Sequence, residues 1–73
     1  MSRLPVVSGR DFVRAMAKLG FDQDRQKGSH LILFRADPPT MLSVPDHREL
    51  DRGTLRALLR QAGVSPTELS GLL

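Results

Sequence analysis

Hydrophobic positions recur at helical spacing near the start of the chain. Ser8 stands where a helix N-cap is expected, and Asp11 follows three residues later as a weaker form of the capping box. The apolar stripe that follows consists of Phe12, Ala15, Met16 and Leu19. Gly20 is suited to ending the helix in a left-handed turn. The pattern predicts an amphipathic first helix.

Two short strands are predicted next. The polar residues 21–26 are interpreted as the first, and residues 27–29 as a turn. Residues 30–35 form the most apolar run of the chain, with strong β-character. This run predicts a central strand that is apolar on both faces.

A second turn and a third strand complete the predicted sheet. Residues 36–39 contain two consecutive prolines and are predicted to turn, because proline cannot donate to a sheet ladder. Residues 40–44 supply the third strand, which Pro45 closes. Short connections between consecutive strands favour an antiparallel meander.

Two more helices are predicted after a polar loop at residues 46–51. Gly53-Thr54 opens the second helix and Gly63 ends it. Its apolar stripe consists of Leu55, Leu58, Leu59 and Ala62. The segment 65–68, Ser-Pro-Thr-Glu, combines an N-cap, a proline at the first helical position and a capping-box glutamate. A short last helix carrying Leu69, Leu72 and Leu73 should follow.

These elements predict an α+β fold in one domain covering residues 1–73. The order is helix, three strands, helix, with a short extra C-terminal helix. Packing both amphipathic helices on one face of the sheet gives a two-layer α-β-β-β-α sandwich. The chain has three Phe and neither Trp nor Tyr, and we assign the three Phe to the core. Base stacking on the sheet surface is therefore not expected.

Charge favours an anionic partner. Eleven Lys and Arg against eight Asp and Glu give a net charge of +3, which fits nucleic acid or a simple need for solubility. Basic residues spaced by four form two stripes: Arg10, Arg14 and Lys18 on the first helix, and Arg52, Arg56 and Arg60 on the second. Each stripe either follows a phosphate backbone or is a solvated helix face. Arg25 and Lys27 beside the predicted turn favour nucleic acid.

The sequence predicts a soluble cytoplasmic protein. Its first residues, Met1–Pro5, lack the apolar run of a signal peptide. No stretch approaches the roughly 18 apolar residues of a membrane span. The chain has no cysteine, so disulfides are excluded, and a reducing compartment fits.

The two histidines are the candidates for chemistry. A metal site would need more ligands than His30, His47 and Asp46, so neither a metal nor another cofactor is expected. A Ser-His-Asp hydrolase is poorly supported because no nucleophile elbow surrounds Ser29.

His30 stands out because of its setting. Gly28 permits a tight turn and a close approach of substrate. Ser29 offers a hydroxyl and an N–H to an anion, and imidazole exchanges a proton near neutral pH. RNA carries its own nucleophile, the 2′-OH, so a base plus basic side chains such as Arg25 and Lys27 would suffice. The alternative is a histidine that only packs or hydrogen-bonds at the start of a strand.

Short motifs in this order and spacing resemble the HicA-type toxins. They run from about Leu4 to the end of the chain: Leu4-Pro5, Ser8-Gly9, Leu19-Gly20-Phe21, Gln26-Lys27-Gly28-Ser29-His30, Val44-Pro45-Asp46-His47, Gly53-Thr54-Leu55 and Leu59-Arg60-Gln61-Ala62-Gly63. The resemblance implies a fold similar to double-stranded-RNA-binding domains. It also implies an mRNA interferase of a toxin–antitoxin system that a HicB-type antitoxin neutralises.

Site residues follow from the resemblance by motif. His30 in Gly-Ser-His would be catalytic, presented by the Gly28-Ser29 turn. His47, in the Pro-x-His segment, would hold the adjoining loop or contact RNA. Together with the basic residues singled out by their charge and spacing, this gives the expected substrate-binding residues Arg10, Arg14, Arg25, Lys27, Gly28, Ser29 and His47. Asp22 and Asp24 would repel RNA locally or attract an arginine of the antitoxin.

Three functional hypotheses follow. The leading one is a metal-independent endoribonuclease toxin acting on mRNA, either a monomer or in a hetero-oligomer with its antitoxin. The second is a non-catalytic RNA-binding module of the same fold. In the third, the basic face serves only to dock an acidic protein partner.

Overall fold

A three-stranded antiparallel sheet and three helices make up the computed structural model, which describes residues 3–73. The elements are α1 (Gly9–Ala17), β1 (Asp22–Lys27), β2 (His30–Ala36), β3 (Pro39–Pro45), α2 (Arg52–Ala62) and α3 (Pro66–Leu72). The strand order is β1-β2-β3, so β2 is central. The predicted α+β fold and its element order are confirmed. Met1 and Ser2, part of the N-terminal stretch assessed for a signal peptide, lie outside the described residues.

Helix α1 begins as predicted and ends earlier. The Ser8 side chain accepts a hydrogen bond of 3.0 Å from the Asp11 N–H. The Asp11 carboxylate pairs with Arg14, so only the Ser8 half of the capping box forms. The helix ends at Ala17, and Gly20 (φ +90°) lies in the turn that follows. The sequence-based end at Gly20 was wrong because Leu19 continues the apolar spacing from outside the helix, packed against the core.

The first hairpin turns on two residues. Strand β1 begins at Asp22, one residue later than predicted, and Lys27 pairs with His30 instead of belonging to the turn. Gly28 has φ +61°, the left-handed conformation that a type II′ hairpin needs at its first central position. A bulge between Gln23 and Arg25 leaves Asp24 without a partner on β2.

The second hairpin also differs from the prediction. Its turn is Asp37-Pro38, joined by a cis peptide bond, whereas Ala36 and Pro39 are paired in the sheet. Pro39 begins β3 and Pro45 ends it. The predicted four-residue turn was wrong because β3 is an edge strand, where a missing N–H on the outer side is tolerated.

Side-chain alternation divides β2 between two environments. Leu31 and Leu33 are buried beneath the helices, together with Leu42 and Val44 of β3. The remaining core residues of the described chain are Val7, Phe12, Ala15, Met16, Phe21, Leu50, Leu55, Leu58, Leu59, Ala62, Val64 and Leu69. We call the opposite, helix-free side of the sheet the outer face; it carries the side chains of His30, Ile32 and Phe34 on β2 and of Met41 and Ser43 on β3.

One core assignment was wrong. Phe12 and Phe21 are buried, but 42% of the surface of Phe34 is exposed. Phe34 is an even step from His30 along β2, so it shares the outer face, which no helix covers. The prediction of a strand apolar on both faces is correct, and only one of those faces contributes to the core.

Helices α2 and α3 are capped by their own side chains. Asp51 is the N-cap of α2, so this helix begins at Arg52 and not at the predicted Gly53-Thr54. Gly63 ends it in a left-handed conformation (φ +73°), as predicted. In α3 the capping box is complete: the Glu68 N–H donates to Ser65 Oγ (3.1 Å) and the Ser65 N–H donates to Glu68 Oε1 (3.2 Å).

The start of α1 is docked tightly on the segment after β3. The Gly9 N–H donates to the His47 carbonyl (2.9 Å), and the Leu50 N–H donates to the Val7 carbonyl (2.8 Å). A Cβ atom on Gly9 would lie 2.1 Å from the carbonyl oxygen of Pro45. Only glycine therefore allows this close approach of helix and strand.

Replacing Gly9 by alanine should separate these two backbones. Because the obstructing atom is backbone, we expect Gly9→Ala to lower the free energy of unfolding by about 1–3 kcal/mol. Gly71→Ala is the matched control in α3, since nothing lies within 4 Å of its added Cβ, and it should be neutral or slightly stabilising. Urea unfolding of both variants measures the difference, and equal stabilities would contradict the close approach.

The N-cap of α2 should make stability depend on pH. Hydrogen bonds from the hydroxyl and then the N–H of Thr54 lower the pKa of Asp51 below its ordinary value of 3.8. A lowered pKa contributes stability that is present above 3.8 and is lost as the pH falls through the folded-state value. We expect the wild type to lose more stability than Asp51→Asn between about pH 5 and pH 2 in urea unfolding. Parallel losses would show that Asp51 is not responsible.

Candidate functional site

His30 is the first residue of the central strand and is exposed. It pairs with Lys27 on one side and with Pro45 on the other. Its side chain lies on the outer face, because Leu31 beside it faces the helices. The imidazole is therefore accessible to a large substrate, and its backbone belongs to the strand that is paired on both sides.

The turn before His30 is fixed to the segment after β3. The Asp46 N–H donates to the Ser29 carbonyl at 2.7 Å. The side-chain amide of Gln26 donates from Nε2 to the Gly28 carbonyl at 3.2 Å. A Cβ on Gly28 would meet no atom within 4 Å beyond its own chain neighbours, so glycine is needed there for its positive φ and not for space. These hydrogen bonds thus fix the backbone of the turn that leads into His30.

Two predicted basic residues lie beside His30. Directly paired residues share a face, so Lys27 (opposite His30) and Arg25 (opposite Ile32) both point to the outer face. Within residues 3–73, Lys27 forms no ion pair, whereas Arg25 pairs with Asp24 at 2.7 Å. Exposed pairs of this kind are weak, so Arg25 can be released at little cost.

Asp46 connects the hairpin to two more predicted residues. Arg10 donates to both carboxylate oxygens of Asp46, from Nε to Oδ1 (3.2 Å) and from Nη2 to Oδ2 (2.9 Å). His47 is exposed and follows Asp46, while its carbonyl accepts the hydrogen bond from Gly9. The structure therefore brings Arg10 and His47 near the Ser29-His30 turn. The Arg10 guanidinium is already paired with Asp46, which the spacing of residues in the sequence could not reveal.

Arg14 is not brought together with His30. It pairs with Asp11 and borders a shallow groove against Gln23 and Leu31, whose side chains face the helix layer. The last basic residue of the α1 stripe, Lys18, donates to the Leu72 carbonyl at 2.7 Å. Every basic residue of this stripe thus has an intramolecular partner. Arg52, Arg56 and Arg60 of α2 are exposed and form no ion pair within the described chain.

Sequence reasoning missed the apolar part of the outer face. Phe34 pairs with Met41, and these two side chains are 42% and 58% exposed. The alternation of residues 30–36 contained the signal, because it places Phe34 on the same face as His30. The histidines and carboxylates of residues 3–73 include no group of three or more arranged to hold a metal ion.

Comparison of the sequence with protein families identifies a toxin family. The sequence model described as the HicA toxin of bacterial toxin–antitoxin systems matches residues 9–64, which span α1, all three strands and α2. No curated protein sequence matches the chain. Among residues 3–73, no helix has the length and apolar character needed to cross a membrane. The family match covers most of the chain and confirms the resemblance seen in its motifs: the chain belongs to the HicA toxin family of bacterial toxin–antitoxin systems.

Proposed function

We propose that this protein is the toxin of a toxin–antitoxin pair and acts as an endoribonuclease that cleaves mRNA, with His30 as the catalytic residue. The observation that carries the proposal is the exposed imidazole of His30 on the outer face, next to Lys27, whose side chain forms no ion pair within residues 3–73. Membership of the HicA toxin family supports the same activity.

The proposed reaction uses the 2′-OH of the RNA as nucleophile. His30 accepts its proton, the 2′-oxygen attacks the adjacent phosphorus, and the bond from phosphorus to the 5′-oxygen breaks. The leaving oxygen takes a proton from water or from the imidazolium, and a 2′,3′-cyclic phosphate remains. General acid–base catalysis of this kind contributes about 10²–10⁴-fold in rate. It needs no metal ion, so cleavage should persist in EDTA.

Substrate binding is assigned to the side chains around the turn. Lys27 and Arg25 are placed to contact phosphates on the outer face, and the Ser29 hydroxyl can donate to a phosphate oxygen. Gly28 keeps the turn narrow, and His47 with Arg10 borders it from the segment after β3. Arg14 would contact only RNA that also reaches the helix layer.

The partner we propose is a HicB-type antitoxin that covers the turn and blocks access to His30. Such a complex would be a cytoplasmic hetero-oligomer, and the free toxin a monomer. Asp22 and Asp24 on β1 are exposed and would attract basic side chains of the antitoxin. Antitoxin and RNA would then compete for β1.

Loss of the imidazole should abolish cleavage. We expect His30→Ala to fold normally, because His30 is exposed, and to reduce RNA cleavage at least about 100-fold. His47→Ala removes the other histidine, which is assigned to substrate binding, so it should weaken RNA binding while kcat at saturating RNA stays near wild type. Growth arrest, mRNA integrity and cleavage of purified RNA with EDTA present measure the effect. Full activity of His30→Ala would refute the mechanism, and salt-dependent binding without cleavage by either protein would indicate an RNA-binding module.

Phosphate contacts should appear in the salt dependence of RNA binding. Lys27→Ala should weaken binding and reduce the slope of log K against log[salt] by about 0.7, as expected for one phosphate of a single strand. Arg56→Ala removes another exposed cation, on α2, and should leave the slope unchanged. Equal effects of the two changes would show that charge, and not the place of Lys27, determines binding.

A further inference from the structure

Phe34 provides an aromatic surface in line with the proposed catalytic residue. His30, Ile32 and Phe34 occupy alternate positions of β2, so their side chains form one row on the outer face. From His30 to Phe34 this row spans about 13 Å of strand. Ile32 is only 8% exposed and fills the space between them.

We propose that single-stranded RNA crosses the outer face with one base stacked on Phe34, while phosphates further along the same strand bind near His30. This inference rests on the proposed function and adds to it a base-binding position. Aromatic side chains on an open sheet are the stacking surfaces of many proteins that bind single strands.

The exposure of Phe34 sets it apart from the other aromatic residues of the chain. The chain has three Phe and neither Trp nor Tyr. Phe12 and Phe21 are 0% and 2% exposed, whereas Phe34 is 42% exposed. Within residues 3–73 no element covers its face of the sheet, and its paired neighbour Met41 is still more exposed. The ring is therefore available to a flat ligand.

Charges on the outer face distinguish the end that attracts phosphates from the end that repels them. Lys27 and Arg25 lie at the end of the sheet that carries His30. The side chain of Lys27 forms no ion pair within residues 3–73. Asp22 is paired with Phe34 at the other end. Phosphates are attracted to the first end and repelled from the second, so a base and not a phosphate belongs over Phe34.

The Asp22 carboxylate also suggests which bases fit. Carboxylates accept hydrogen bonds from exocyclic amino groups, such as the N4 amino group of cytosine. Uracil has no such group. We therefore expect cytosine to be preferred over uracil at the Phe34 position.

Two alternatives are less well supported. RNA lying along α1 would have to displace the intramolecular partners of Arg10, Arg14 and Lys18. A protein held by the apolar patch alone would have only Phe34 and Met41 to bury, far less than the roughly 800 Å² per partner of a stable interface. Both alternatives are distinguishable outcomes of the experiments below.

A single introduced tryptophan tests the stacking directly. Phe34→Trp creates the only tryptophan of the chain, and stacking on a base should quench its fluorescence. Val6→Trp is the matched control, since Val6 is 77% exposed and lies beside Arg14 and Lys18 of α1. The probes are 2′-O-methyl oligocytidine and oligouridine, which cannot be cleaved through the 2′-OH. We expect quenching of Phe34→Trp, tighter with oligocytidine, and no quenching of Val6→Trp.

The opposite results would overturn the inference. Quenching only at Val6→Trp would place RNA on the α1 side. Binding detected by anisotropy of labelled RNA without quenching at Phe34→Trp would leave the ring uninvolved. A Phe34→Trp signal that responds to purified antitoxin and not to RNA would show a protein-binding surface.

Cleavage kinetics separate this inference from the proposed function. Phe34→Leu keeps an apolar side chain without the ring and should raise KM about 5- to 100-fold, the loss expected for one stacked base. Its kcat at saturating RNA should stay near wild type, because His30 is untouched. Asp22→Asn should reduce the preference for cytosine. Wild-type KM in a folded Phe34→Leu would refute the stacking and leave the catalytic role of His30 standing, whereas loss of the proposed function would appear as a fully active His30→Ala.

Discussion

The close approach of α1 to the end of β3 is the constraint on which the rest of the structure depends. It is possible only because residue 9 has no side chain, since a Cβ would lie 2.1 Å from the Pro45 carbonyl oxygen. From this contact, hydrogen bonds lead from Gly9 to His47 and from Asp46 to Ser29. One backbone approach thus joins the helix layer, the edge strand and the turn that presents His30.

Local sequence signals predicted the elements well and their ends less well. Capping residues act within one turn of helix, so Ser8 and the Ser65-Glu68 box could be identified from spacing alone. The predicted ends were wrong where tertiary contacts determine where an element begins or ends. Leu19 packs on the core from outside α1, and Pro39 is paired because β3 is an edge strand.

The proposed site was only partly visible in the sequence. The Gly28-Ser29 turn and His30 are contiguous, so their grouping follows from local geometry. The ion pairs of Arg10 with Asp46 and of Arg25 with Asp24 depend on folding and, for Asp24, on a bulge. Spacing alone treated these arginines as equivalent to Lys27. Phe34 was missed because aromatic composition was given more weight than strand alternation.

Strand β1 illustrates how the fold separates stability from recognition. All six of its residues are exposed, so it contributes no side chain to the core, although it carries Arg25 and Lys27. Its pairing with β2 can therefore break and re-form while the helices stay packed on β2 and β3. The amide protons of β1 should exchange with solvent through local opening, and those that join β2 to β3 beneath the helices mainly through global unfolding. A ligand that contacts β1 can thus order one edge of the sheet without changing the rest of the domain.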